Sequence, residues 1–330
     1  MAADRHGALC IGLDLGGTKL AGALVAADGT VLHTTKLPSR PEEGADQVVE
    51  VVVSAVEELT GLAGGREVLG VGIGVAGQID PETGAVHTAP NLKFREFPLR
   101  ARVEERLRLP VAVLNDVQAV TYGEWTHGAG KGVDDFVCIF VGTGVGGGVV
   151  ADGHLVRGAT GSAGEVGHMT VDLHGPLCRC GNHGCVEAYA GGWAIAERAR
   201  AAIAHDPVLG AALLALEDGD LSRVAGETVA RAAADGDPLA LRIVEETGIA
   251  LGAGAASIVN GFNPAVIVLG GGVVDGIPGL LAIVEREMRV RALSAAVDHA
   301  RLVPPVLGGL AGAIGAATWL RRELGHTGEI

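Results

Sequence analysis

From residue 178 to 187 the chain reads Cys178-Arg179-Cys180-Gly181-Asn182-His183-Gly184-Cys185-Val186-Glu187, three thiols in one glycine-bent loop. Thiols spaced this closely do not form ordinary disulfides easily, but as thiolates they can surround a tetrahedral Zn²⁺. A fourth ligand is needed, and His168, His174 and His183 are all near in sequence. Four protein ligands would make the site closed, hence structural rather than catalytic. Glu165 and Glu187 bracket the segment, and either could accept hydrogen bonds from hydroxyl groups or be a solvated loop acid.

A second chemistry is written in glycines. Asp14-Leu15-Gly16-Gly17-Thr18-Lys19 falls where an apolar strand turns back. Glycines let backbone N–H groups point at phosphate oxygens, Thr18 adds a hydroxyl and Lys19 a charge. An aspartate at the strand end can hold Mg²⁺ through water, because that ion keeps most of its hydration shell. A Walker A loop would need Gly-Lys-Ser/Thr in that order, which is absent here. Gly142-Thr143-Gly144 punctuates a second strand. Together with Gly147 it satisfies G-x-G-x-x-G, but the dinucleotide motif needs a helix next, whereas a strand and an Asp152-Gly153 turn follow. That match is read as accidental, which disfavours an NAD-dependent oxidoreductase. Gly270-Gly271-Gly272 ends a third strand, either as a place for a ligand at a carboxyl edge or as an ordinary strand-to-helix turn.

Leu114-Asn115-Asp116 ends another apolar strand. Phosphoryl transfer to a hydroxyl asks for a carboxylate that takes the hydroxyl proton and aligns the oxygen with the γ-phosphate. Asp116 suits that role and Asn115 could hydrogen-bond a sugar hydroxyl; alternatively, Asn-Asp caps the following helix.

The elements that must position these residues come in two similar sets. Strands are expected at Leu9–Leu15, Leu20–Ala26 and Val31–Leu37, with Asp28-Gly29 as a hairpin turn. A helix through Val48, Val52, Val56 and Leu59 follows, then a strand at Val68–Val75, a helix from Phe97 to near Leu109, and a strand at Val111–Leu114. The order then restarts with Phe136–Val141, Gly147–Ala151 and His154–Val156. After the glycine-rich metal segment the chain reads mainly helical, with strands at Ala265–Leu269 and near Leu302–Val306 and a last helix from about Leu310 to Leu324. Strand, glycine turn, strand, Asp-Gly, strand thus opens both halves, which points to two related α/β domains. Their expected extents are 1–117 with 310–330 for the smaller, and 118–309, carrying the metal loop, for the larger. Two independent hairpins with common turn chemistry are the plainer alternative.

The 330-residue chain is 48% hydrophobic and 19% charged, with a net charge of -14. Such acidity repels polyphosphate backbones, and no basic patch offsets it, so neither nucleic acid nor an anionic membrane is an expected partner. No signal pattern or bilayer-length apolar run is read, and the stretch near Gly252 is expected as a buried helix. Five cysteines with metal-like clustering fit a reducing, cytoplasmic setting.

These pieces together resemble the repressor/open-reading-frame/kinase (ROK) family of the actin-like, sugar-kinase ATPase superfamily, over almost the full length. The matching stretches are Asp14–Lys19, Val141–Gly153 with Arg157-Gly158, Gly164-Glu165-Val166-Gly167-His168, Cys178–Glu187 and the triple glycine at 270. The resemblance implies duplicated, ribonuclease H-like domains flanking a cleft and an ATP-dependent sugar kinase using Mg²⁺. It implies ATP held from Gly12, Asp14, Gly16, Gly17, Thr18 and Lys19 on one side. Gly142, Thr143, Gly144 and Gly146 would hold it from the other, with adenine near Gly270, Gly271 and Gly272. It makes Asp116 the catalytic base, with sugar contacts from Gly77, Asn91, Asn115, Glu165, His168 and Glu187. It selects His168 as fourth ligand of a structural zinc ion, with Cys178, Cys180 and Cys185. One ring nitrogen would bind metal while the other meets the sugar.

The family's repressors carry an N-terminal helix-turn-helix for which this chain shows no room, so the kinase branch is expected. Glucose is the first substrate expected, giving glucose 6-phosphate. Mannose, fructose or an N-acetylhexosamine are alternatives, as is a catalytically silent sugar sensor. Gln118, standing where asparagine is usual, weakens the glucose assignment. A homodimer or homotetramer is the family-level expectation.

Overall fold

The computed structural model describes residues 7–326. Residues 1–6, where the absence of a signal pattern was read, and 327–330, which close the smaller expected domain, lie outside the described residues.

β1 (Leu9–Leu15), β2 (Lys19–Val25) and β3 (Val31–Pro38) form an antiparallel meander whose first two strands are buried almost throughout. Strands apolar on both faces must be covered on both faces. α1 (Ala45–Gly61) supplies one cover, burying the stripe Val48, Val52, Val56 and Leu59. β4 (Val68–Val75) joins parallel to β1. A small antiparallel sheet then intervenes, made of β5 (Gln78–Ile79), β6 (Val86–Ala89) and β7 (Phe94–Phe97). After α2 (Leu99–Leu107), β8 (Val111–Asn115) pairs parallel to β4 and leads into α3 (Asp116–His127). The finished sheet runs β3-β2-β1-β4-β8.

β9 (Phe136–Val141), β10 (Val145–Ala151) and β11 (His154–Leu155) begin the second sheet. Helices follow: α4 (Val186–Ala190), α5 (Gly192–His205), α6 (Ala211–Ala215), α7 (Gly226–Ala234) and the long, largely buried α8 (Pro238–Phe262). β12 (Val266–Gly270), α9 (Gly272–Gly276), α10 (Leu280–Arg291), α11 (Ser294–Val297) and β13 (Arg301–Val303) complete it, and α12 (Ala311–Glu323) ends the fold. The order β11-β10-β9-β12-β13 repeats that of the first sheet, with two hairpin strands on one side of the leading strand and two parallel strands on the other. The duplicated, actin-like α/β arrangement expected from the sequence is the one observed.

The chain divides into two compact units: one runs to 134 and adds 148–164 and the chain from 305, the other holds 135–147 and 165–304. α3 stays wholly with the first, past the boundary expected at 117, because α12 packs on it backbone to backbone. A Cβ on Gly315 would lie 1.8 Å from Ala119 O, and one on Gly123 2.5 Å from Ala311 O. The same helix supplies the first sheet's second cover at equally short range. A Cβ on Gly12 would lie 1.7 Å from Ala313 O, and one on Gly72 1.9 Å from Ala316 O.

Two local readings are corrected. Phe97 ends β7 instead of opening a helix, because Pro98 intervenes as the N-cap and the helix starts at Leu99. The strand expected near Leu302–Val306 stops at Val303, where consecutive prolines cannot donate to a ladder.

Candidate active site and metal centre

Strand register brings the first unit's acids to one edge. Asp14 pairs with Gly74, and Gly74 with Leu114, so the carboxyl ends of parallel β1, β4 and β8 lie level. The capping role falls to Asn115, whose Oδ1 accepts from the amides of Val117 (2.9 Å) and Gln118 (3.2 Å). Its Nδ2 donates to Gly77 O at 3.1 Å, which ties two of the sequence-predicted sugar residues together. Asp116 is thereby fixed as the first residue of α3. Burial pushes its carboxyl above the ordinary range, against hydrogen bonds from backbone amides and Asn115 that favour the anion. Asp14 is pushed up to about 6, by burial first and then by the neighbouring Asp116, with Lys19 opposing. Two desolvated carboxylates at the carboxyl edge of a parallel sheet suit cation binding and proton transfer.

The β1–β2 turn is closed by Gly16 N donating to Lys19 O (3.0 Å). It is fastened by Ser39, whose Oγ donates to Gly16 O (2.7 Å) and whose amide donates to Thr18 O (3.2 Å). Ser39 is fully buried and had no sequence signal, since its partners lie a strand away. Gly17 meets Asn91, where a Cβ would come within 2.6 Å of the asparagine Cβ. Gly12 does not join this turn: its missing side chain is accounted for by α12 crossing the sheet at that point. Gln118 is a brace, its buried Nε2 donating to Gly161 O (2.8 Å) and Ala163 O (3.4 Å).

In the second unit the ligand atoms of His168, Cys178, Cys180 and Cys185 all lie within 4.8 Å of one another. Zn–S bonds of ~2.3 Å in a tetrahedron put sulfurs about 3.8 Å apart. The observed Cys180–Cys185 separation is 3.7 Å and Cys178 Sγ to His168 Nδ1 is 3.8 Å. All three thiols are unbridged, and the set of three sulfurs and one nitrogen fits zinc. His183 turns away, its Nδ1 within 3.0 Å of Gly175 O, and His174 is not in the cluster. Burial pushes the Cys185 thiol up to about 12, a preference that a bound dication would reverse.

The loop is shaped by two glycines. Gly184, at φ 65°, has Asp172 O 1.6 Å from where a Cβ would stand, and Gly167 has Val145 O at 2.0 Å. The latter contact seats the Glu165–His168 turn on β10. Glu187, in the first turn of α4, reaches three neighbours. Its Oε2 accepts from Val145 N (2.9 Å), and its Oε1 lies 3.4 Å from Trp193 Nε1 and 3.9 Å from Cys178 Sγ.

Beside the cluster lies a cavity of about 430 Å³, lined among others by Gly142, Thr143, Trp193, Gly226, Glu227 and Gly272. The second and third glycine turns therefore meet at one site. Gly271 takes φ 101° where a Cβ would crowd Val141 O at 2.5 Å. Gly146 and Gly147 sit inside β10, so the G-x-G-x-x-G match is indeed followed by strand, without the helix that dinucleotide binding needs. Trp193 and Glu227 were not singled out in the sequence, since neither carries a motif and the fold alone brings α5 and α7 to the turn.

A family model described as the ROK family matches residues 10–323. The glucokinase of Streptomyces coelicolor is 40% identical over 267 residues, covering 81% of this chain and 83% of that protein. The xylose repressor of Bacillus subtilis is 30% identical over 318 residues, covering 96% of this chain and 77% of that protein. Among solved structures, a ROK family glucokinase from Streptomyces griseus in complex with glucose and AMPPNP superposes with a TM-score of 0.79. It is 39% identical, with 95% of this chain and 99% of that one covered.

Proposed function

This chain belongs to the ROK family, and from that premise we propose that it is a sugar kinase transferring the γ-phosphoryl group of ATP to glucose. The observation that carries this reading is the desolvated Asp14–Asp116 pair at the carboxyl edge of the first sheet. Asp116 acts as general base. The sugar's C6 oxygen attacks the γ-phosphorus, the bond from that phosphorus to the β–γ bridging oxygen breaks, ADP departs, and the hydroxyl proton passes to Asp116. Asp14 would hold Mg²⁺, which would neutralise charge on the phosphates, and the glycine turns Gly16–Lys19 and Gly142–Gly144 would each offer backbone amides to phosphate oxygens. The cavity beside Gly272 receives the adenosine end; its volume and mostly apolar lining support that use.

His168, Cys178, Cys180 and Cys185 would hold one structural zinc ion, which would supply loop rigidity and no step of the reaction. Gly77, Asn91, Asn115, Glu165, His168 and Glu187 are proposed for the sugar. For His168, the Nδ1 that faces Cys178 leaves Nε2 for a hydroxyl. Gln118 does not count against glucose, because its amide is spent on loop carbonyls.

Likeness to a xylose repressor gives the silent sugar sensor its support, and turnover separates the two. In a coupled ADP-release assay over glucose, mannose, fructose, N-acetylglucosamine and N-acetylmannosamine, glucose is expected to turn over fastest, at a rate in the ordinary kinase range of ~1–100 per second. Turnover of another sugar without glucose would move the assignment within the class. No turnover with any sugar by a folded, metal-loaded protein would leave the sensor.

A further inference from the structure

Trp193 stands where the metal cluster and the cavity adjoin. On one side its indole lines the cavity and its backbone amide donates to Thr143 O at 3.3 Å, in the glycine turn. Its ring also packs on the buried Cys178–Cys185–Ala188 cluster. On its face lies Arg179, the residue between two thiol ligands, with the guanidinium 4.3 Å from the ring centroid and tied at 3.1 Å to Glu197 on α5. Its Nε1 donates to Glu187, which also accepts from Val145 N at the end of the same turn. A Cβ on Gly144 would come within 2.4 Å of Glu187 Oε2, so turn and carboxylate are in direct apposition.

The indole is therefore held in part by the 178–185 loop, through Arg179 on its face and Cys178 and Cys185 beneath it. An arginine stacked on an aromatic face is a favourable contact that biases a half-buried ring. Both routes from the metal loop, through Arg179 and through Glu187, end on the turn and wall that would face a nucleotide. We propose that Trp193 couples the two sites: zinc in the Cys/His cluster strengthens adenine-nucleotide binding in the cavity, and nucleotide strengthens zinc retention. Coupling between two binding equilibria is reciprocal, and typical values are about 5–150-fold. The inference rests on the cavity being the nucleotide site.

ADP without Mg²⁺ is the probe, titrated calorimetrically into full-length protein before and after zinc removal by chelation, with circular dichroism confirming the fold. The dissociation constant is expected to rise at least ~5-fold without zinc. In the other direction, saturating ADP should slow zinc loss to a chromogenic chelator. In Trp193→Ala the with-zinc to without-zinc ratio should collapse towards one, whatever the variant's absolute affinity. A ratio that persists in Trp193→Ala, or a wild-type constant indifferent to zinc, overturns the coupling. If chelation unfolds the chain, Arg179→Gln in the loaded protein decides. Weaker ADP binding with unchanged zinc content is expected, and unchanged affinity refutes the proposal. Failure of the loaded wild-type protein to bind ADP at all would instead refute the nucleotide reading of the cavity.

Discussion

In the proposed reaction Asp116 is the base and Asp14 the cation ligand, and substitution of Asp116 tests the first of these roles. Asp116→Asn keeps the shape and the helix cap from Asn115, but offers no base. It should lower kcat by about 10²–10⁴-fold with little change in the glucose KM. The pH profile follows from the two raised carboxyls. The proposed roles need both ionised, and burial with the neighbouring Asp116 pushes Asp14 up to about 6. Therefore kcat/KM should fall as pH drops below about 6, whereas an unperturbed pair would hold activity down to around 4. Stability runs the other way. Because the folded pKa of Asp14 exceeds its ordinary 3.8, the native state binds more protons between 3.8 and about 6, and the unliganded protein should lose stability as pH rises through that window. A thermal-unfolding series across pH 4–7 without Mg²⁺ checks the sign. At the metal loop, elemental analysis should find about one zinc per chain, reduced in Cys180→Ser, which lacks one sulfur ligand. Asp116, Asp14 and the cysteines were legible in the sequence because their types and short spacing already restrict their chemistry. Ser39, Trp193 and Glu227 were not, since what matters about each is a partner brought by the fold.

Among the elements, the long strands were readable because an apolar run bounded by Gly, Asp or Pro has few other uses. β1, β4 and β9 fall at the residues expected. The β5–β7 sheet escaped notice. Its strands are two to four residues long and include Thr88, His87 and Arg95, so no alternation accumulates. The glycines at 12, 72, 123 and 315 illustrate another limit. Gly12 is assigned to ATP by the family resemblance and the other three carry no motif, yet all four mark where α12 approaches β1, β4 and α3 at backbone range. Gly72→Ala puts a methyl 1.9 Å from Ala316 O and should destabilise by about 1–3 kcal/mol or more, seen as a lower denaturant midpoint. The start of α12 has its own fastening. Buried Glu124 accepts from the amides of Ala129 (3.1 Å), Val306 (3.0 Å) and Leu307 (2.8 Å). Glu124→Ala leaves those donors without the carboxylate and should cost about 2–4 kcal/mol in the same measurement.

At the scale of the whole molecule, the internal repeat was the most informative feature, because it survives as two sheets of identical strand order. The exact extents of the two units were less readable. The chain crosses between them at 134, 147, 164 and 304, partway along a strand in one case, and no composition change marks those points. Among the described residues, no helix is long and apolar enough to cross a membrane. The net charge of -14 predicts no retention of DNA at physiological salt, which filter binding would check. The most direct test of the account is a crystal structure of the zinc-loaded protein with glucose and a non-hydrolysable ATP analogue. An Asp116 carboxylate oxygen is expected within about 2.6–3.2 Å of the sugar's C6 hydroxyl. A sugar bound with that carboxylate facing no hydroxyl would contradict it.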